Sequence, residues 1–280
     1  MPFDPRIVRP APITFPISPY RDETYWGFLN RLALANHFEH GVPLHKVIRD
    51  SGLTRAEAIG AMLDRPALHV ALAMPTVQHN LNDERLHGRP AKLGRFACRR
   101  CAFRRAGSNV FVYAHQWDVI CHRHQRWLIG AQFDITGIGG LTNAQRHHRA
   151  LTGWYGHAAT FEAWEAAQGV LTAYSRSGKP MPPAAQDAYA TFTRQYADRQ
   201  HDGHAFNAAT YPIAVQLAAT LLDPSRVDAD GPGNSQRMTA LIREWVPLLG
   251  PRHDMVWRDP LRVTLRRYPL VASPSQEYVT

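Results

Sequence analysis

A mainly α-helical fold, broken by one short strand-forming segment, is what this sequence predicts, on three observations. Beyond residue 20 the apolar residues recur mostly at helical spacing rather than in alternation. Residues that favour strands gather in one run, 109–120, which is rich in Val, Phe, Tyr and Trp. All three cysteines lie between positions 98 and 121, on either side of that run. The expected organisation is a proline-rich extended strap over 1–20, a helical domain over 21–90, a cysteine-bearing β-hairpin segment over 91–130, and one or more helical domains over 131–280.

The strap rests on six prolines, Pro2, Pro5, Pro10, Pro12, Pro16 and Pro19. Each lacks an N–H donor and restricts its predecessor, which excludes a helix. Asp22 is placed to cap a helix beginning at Glu23, with Trp26, Leu29, Leu32 and Ala33 as its apolar stripe and an end near His37. Residues 43–64 read as two short helices about a turn. Leu44, Val47 and Ile48 mark the first, Gly52 the turn, and Thr54 caps a second that carries Ala58, Ile59, Met62 and Leu63. Helix, glycine turn and helix within about twenty residues is the outline of a helix-turn-helix, and Arg55 then falls in the first turn of its recognition helix. The same stripes serve an ordinary helical hairpin equally well.

Residues 66–97 are less regular. Beyond 130, helices are expected over 144–155, 160–175, 183–200, 208–222 and 235–249, with breaks at 178–180 and 228–234 where Gly, Pro and Asp collect.

Composition narrows the function classes. An apolar fraction of 45% supports a folded core and excludes a disordered chain. No run approaches the ~20 apolar residues of a membrane span, and the N-terminus lacks a secretory leader pattern, so a cytoplasmic protein is expected. Thirty-two Lys and Arg against 23 Asp and Glu give a formal charge of +9, which suits a polyanionic partner. Three cysteines are too few and odd in number for a disulfide framework.

Their spacing points to a metal. Cys98-Arg99-Arg100-Cys101 and Cys121-His122-Arg123-His124 are two pairs of donors separated by nineteen residues. Donors three apart fit on one tight turn, and two such turns facing each other across a β-hairpin close a tetrahedron around zinc. One structural Zn2+ held by Cys98, Cys101, Cys121 and His124 is therefore expected. His122 and His115 are nearby alternatives, and only the two-residue spacer favours His124. Four protein ligands leave no coordination position for water, so such a site is structural rather than catalytic.

The same segment is basic. Arg95, Arg99, Arg100, Arg104, Arg105, Arg123 and Arg126 surround the donors. Arginine on a rigid scaffold suits phosphate by its planar donor fork, which makes Arg99, Arg100, Arg104 and Arg105, with Arg55, the candidate DNA contacts. A solvated basic face is the alternative. No phosphate loop, dinucleotide fingerprint or nucleophile elbow is present, and His147-His148, adjacent on an expected helix, diverge too far to hold a nuclease metal together. No catalytic residue is assigned, and the protein is not expected to be an enzyme.

Residues Pro19-Tyr-Arg-Asp-Glu-Thr-Tyr-Trp-Gly-Phe-Leu-Asn-Arg-Leu-Ala33 resemble the opening motif of the TniQ family, in which Glu-Ser/Thr precedes an aromatic, a Leu and then Arg-Leu-Ala. Trp117, Cys121, His124 and Leu128 fit that family's pattern of a Trp, then Cys-x-x-His, then a Leu. The resemblance covers about residues 12–130. It implies a helix-turn-helix domain, a zinc ribbon and further helical modules in a DNA-binding adaptor that selects targets for Tn7-like transposition. It also implies recruitment of an AAA+ ATPase that engages the transposase, and in some members contact with an RNA-guided effector. Cys98, Cys101, Cys121 and His124 inherit the metal role, and Glu23, Trp26 and Arg31 a fold-organising one. The chain departs from the family at His37, where a small residue such as Gly is usual. Two other functions fit the same residues: a stand-alone DNA-binding regulator, and a zinc-stabilised protein-interaction module without DNA affinity.

Overall fold

The computed structural model describes residues 10–74, 77, 85–86, 89–90, 92–176, 181–195 and 201–223. The expected helix over 235–249, the breaks at 178–180 and 228–234, and the strap's Pro2 and Pro5 lie outside the described residues. What is described is mainly helical, with short strands only in antiparallel pairs. It divides into two compact units, Met1–Gln116 and Trp117–Thr280.

The first unit is built on α1 (Tyr25–Ala35), α2 (Val42–Asp50), α3 (Arg55–Leu63) and α4 (Ala67–Ala73). Its core takes Tyr25, Phe28, Leu29 and Leu32 from α1, Leu44 and Ile48 from α2, Ile59 and Met62 from α3, and Val70 from α4. The described part of the strap lies extended on this core. Ile13 donates its N–H to the Met62 carbonyl, and Phe15 exchanges two hydrogen bonds with the Asn36 side chain.

Helix α1 starts two residues later than expected, and Asp22 is not its cap. Thr24 takes that role, its hydroxyl accepting the Gly27 N–H at 3.0 Å. Glu23 is held out of the helix because its carboxylate is committed elsewhere. It accepts Arg31 Nε at 2.7 Å, Arg31 Nη2 at 2.8 Å and the Tyr20 N–H at 2.8 Å, with the ion pair buried. A two-pronged pair of this kind is among the stronger charge-assisted contacts, and losing one partner strands a buried charge. Trp26, expected in the apolar stripe, is instead 41% exposed, and Phe28 fills the core position.

The departure at His37 is accommodated in the backbone. His37 adopts the left-handed conformation at φ 63°, where glycine costs least. The Phe38 N–H returns to the Ala33 carbonyl and the His37 N–H to Leu34, the paired bonds of a Schellman helix end.

Helices α2 and α3 occupy the expected span and flank a turn containing Gly52 at φ 70°. Thr54 and Glu57 form a reciprocal capping box at the start of α3. Strands β1 (Arg85–Leu86) and β2 (Arg89–Pro90) pair with each other. After them come β3 (Lys92–Phe96), α5 (Arg99–Ala106) and β4 (Phe111–His115), with β3 and β4 paired antiparallel from Lys92↔His115 to Phe96↔Phe111. Ala97, Ala102, Val110 and Val112 make a small separate core beneath α5.

The second unit begins with a two-rung hairpin, β5 (Ile120–Cys121) and β6 (Arg126–Trp127). Helices α6 (Leu141–Tyr155) and α7 (His157–Arg176) follow, then a 3-10 turn (Pro183–Ala185), α8 (Gln186–Thr193) and α9 (Asp202–Leu222). Among the described residues the expected and observed spans overlap, but α9 begins six residues before position 208, and Ala205 in that added stretch is buried. By length and composition α9 could cross a membrane, yet it is the central helix of the bundle, buried on most sides by α6, α7 and α8. Burial on nearly every side explains its apolar character without a lipid partner.

Candidate metal centre and basic helix

Cys98 and Cys101 open α5. Cys98 is the N-cap residue and is buried, and Cys101 is half-buried in the first turn. Cys121 ends β5, and the chain then turns tightly: the His124 N–H donates to the Cys121 carbonyl, and Gln125 takes the left-handed conformation at φ 47° before β6 begins. Gln125 Nε2 ties the turn to the His122 carbonyl at 2.8 Å. Within this turn Cys121 Sγ and His124 Nδ1 are 3.7 Å apart. A tetrahedral ion with metal–sulfur bonds of ~2.3 Å and metal–nitrogen bonds of ~2.0–2.1 Å requires an S···N edge of about 3.6 Å.

The donor atoms of Cys98, Cys101, Cys121 and His124 all lie within 4.8 Å of one another, and none of the cysteines is in a disulfide. This is a possible metal site of three sulfurs and one nitrogen. The histidine it contains is His124, while the His122 side chain is exposed to solvent.

The scaffold differs from the expected pair of turns across one hairpin. The Cys98–Cys101 pair stands on a helix, and β4 pairs backward with β3 rather than bridging the two donor pairs. The spacing alone could not separate these cases, since residues i and i+3 are neighbours on a tight turn and on a helix alike. What selects the helix is its inner face. Ala102 is fully buried and Ala106 packs against the small cluster it forms with Ala97, Val110 and Val112, while Gly107 at φ 67° stops the helix. Residues 109 and 110 lie outside β4, and 116–119 separate it from β5.

Each predicted arginine has a definite place. Arg99, Arg100, Arg104 and Arg105 are all on α5 and all exposed. No Asp or Glu occurs anywhere from 85 to 117, a stretch holding seven arginines and one lysine. Arg55 is elsewhere: its guanidinium lies 4.7 Å from the centre of the Tyr25 ring. Burial pushes the Tyr25 hydroxyl up to about 12, partly offset by the Arg55 charge. Tyr25 and Trp26 also contact His45, the Tyr25 hydroxyl lying 2.9 Å from His45 Nδ1. Arg55 thus closes an aromatic cluster of its own unit.

One outward residue of α5 escaped the sequence reading. Phe103 is 74% exposed, although its apolar character alone suggests a core position. Its position three residues after Arg100 and immediately before Arg104 was the available signal. Comparison of the chain with protein families, with curated proteins and with solved structures gave no match.

Proposed function

We propose that this protein is a zinc-stabilised DNA-binding adaptor, and that its role is target selection for transposition, as in the TniQ family its opening and cysteine motifs resemble. The observation that carries the DNA-binding part is the coupling of the donor cluster to α5. The two residues between Cys98 and Cys101 are Arg99 and Arg100, so anything that fixes the cysteines also fixes the start of an exposed arginine helix. Zinc is the ion assigned, because three thiolates and one imidazole form its preferred tetrahedral donor set. The ion acts as a cross-link that supplies folding free energy, and catalysis is not assigned to it.

On this reading α5 supplies phosphate contacts, and the α2–α3 pair acts as the helix-turn-helix. Arg55 reaches DNA only by leaving the Tyr25 ring, at a cost of about 0.5–1 kcal/mol for a surface cation–π contact. The adaptor part rests on the motif resemblance: an AAA+ ATPase is the expected partner, with the transposase or an RNA-guided effector as further members of the assembly.

The test is duplex binding by the metal-loaded full-length protein across a salt series. Affinity is expected to fall steeply with salt, by a log–log slope of roughly −0.9 for each phosphate neutralised. Replacing Arg99 and Arg100 together by Ala is expected to weaken binding on all sequences and flatten that slope by about two phosphate contacts. A metal-loaded protein that ignores duplex at low salt overturns the DNA-binding part. The adaptor part requires a cognate AAA+ ATPase to assemble preferentially on DNA that this protein occupies.

A further inference from the structure

We infer that Phe103 is a stacking wedge, and that α5 recognises nucleic acid whose bases are locally unstacked in preference to perfect duplex. The inference rests on the reading of α5 as a nucleic-acid contact and adds the kind of DNA that it prefers. It starts from the geometry of the helix. With about 100° between residues, Ala102 and Ala106 share the face turned to the small core, Arg100 and Arg104 share the opposite one, and Phe103 projects from the flank between them beside Arg100. Arg99 lies one turn before Phe103 at its flank.

A single exposed apolar residue needs no explanation by itself. Phe103 stands apart for two reasons. It is the most exposed of the large apolar side chains described, at 74%, and it is set among arginines in a stretch without acidic residues from 85 to 117. A partner for this face must satisfy a cation-rich surface and a flat apolar ring together. A protein partner would need an acidic rim around an apolar pocket. Nucleic acid offers a phosphate backbone beside π-faces, provided that a base step is open. In perfect duplex those faces are covered by their neighbours and the ring gains nothing. At a mismatch, bulge or flexible step the cost of opening is already reduced, and the ring can occupy the gap while the arginines hold the flanking phosphates. The electrostatic contacts are indifferent to sequence, so the wedge is what converts a general DNA affinity into a preference for deformable sites.

The test compares the full-length protein on a matched duplex and on the same duplex with a central two-base mismatch flanked by 2-aminopurine, read by anisotropy and by 2-aminopurine emission. The wild type is expected to bind the mismatched DNA at least about tenfold more tightly and to change the 2-aminopurine signal, as stacking of one base on an aromatic residue allows. Phe103→Ala is expected to bring the ratio of the two affinities near one, and Phe103→Trp to keep it, with Trp emission quenched on binding. A ratio near one for the wild type, or a ratio unmoved in Phe103→Ala, overturns the wedge. If Arg100→Ala with Arg104→Ala weakens duplex binding in that same outcome, the DNA-binding reading survives alone. Absence of DNA binding by the wild type overturns both. Phe103-dependent binding to anionic phospholipid vesicles, with no preference between the two DNAs, would assign the face to a membrane surface instead.

Discussion

Cys121 and His124 stand on a hairpin whose neighbours Ile120 and Trp127 belong to the large core of the second unit, where Trp127 meets Tyr211 with ring centres 5.2 Å apart. Cys98 and Cys101 stand on a helix of eight residues backed by Ala97, Ala102, Val110 and Val112, with Tyr20 and Ala106 beside them. One pair of donors is held by packing that exists without a metal. The other is held by a core too small to order a helix alone, because short helices are marginal without tertiary support. A metal bound by these four donors would therefore matter unequally to its own ligands, completing one half and ordering the other.

The largest expected effect follows from that inequality. Structural zinc contributes on the order of 10 kcal/mol of binding free energy, which appears as folding free energy wherever the apo site is unformed. Chelation, or Cys101→Ser, is expected to abolish hydrogen-exchange protection across α5, while amides of β5, β6 and α9 keep theirs. Equal loss in both places would mean that the hairpin depends on the metal as much as the helix does.

The converse test works on the bundle. Phe192 is fully buried and meets Phe133 with ring centres 5.0 Å apart. Phe192→Ala is expected to lower the stability of the second unit by about 3–5 kcal/mol through lost burial and the cavity left behind. Chemical denaturation reads the loss, and metal content is expected to stay unchanged. A fall in metal content would show that the donor turn is less independent than its packing implies.

A smaller effect comes from pH. His148 is fully buried, with Nδ1 3.0 Å from the Tyr211 hydroxyl, and burial, with a lesser contribution from the His147 charge, holds its imidazole down to about 4. The unfolded chain binds that proton near 6.5, so between these values the unfolded state is the more protonated one. Stability from this group is complete above about pH 6.5 and is lost as pH falls toward 4, by up to about 3 kcal/mol. His148→Gln is expected to flatten the stability–pH curve of the second unit over that range. An unchanged curve would remove His148 as its cause.

The sequence made the donors legible because metal geometry is written in short spacings, and residues 98, 101, 121 and 124 needed no knowledge of the fold. It did not reveal that the first pair sits on a helix, since i, i+3 proximity is common to both settings and Ala102 with Ala106 is a faint apolar stripe. The strand run 109–120 was visible, but its pairing with β3 was not, because pairing depends on a partner outside the run. The long apolar helices of the second unit were legible from periodicity. The start of α1 was misread because Asp22 and Thr24 are both good caps, and only the buried demand of Arg31 on Glu23 decides between them. Arg55 and Phe103 were obscured for a shared reason: side-chain type gives a preference, whereas the Tyr25 ring and the outward face of α5 fix the outcome.

Metal analysis combined with X-ray absorption on the full-length protein, purified without chelators, bears most directly on the central claim. About one zinc per chain is expected, in a coordination sphere of three sulfurs and one nitrogen. Cys101→Ser and His124→Ala should each lower that content, and His122→Ala should leave it in place. A protein that holds no metal, with all three thiols reacting freely in the native state, would contradict the account.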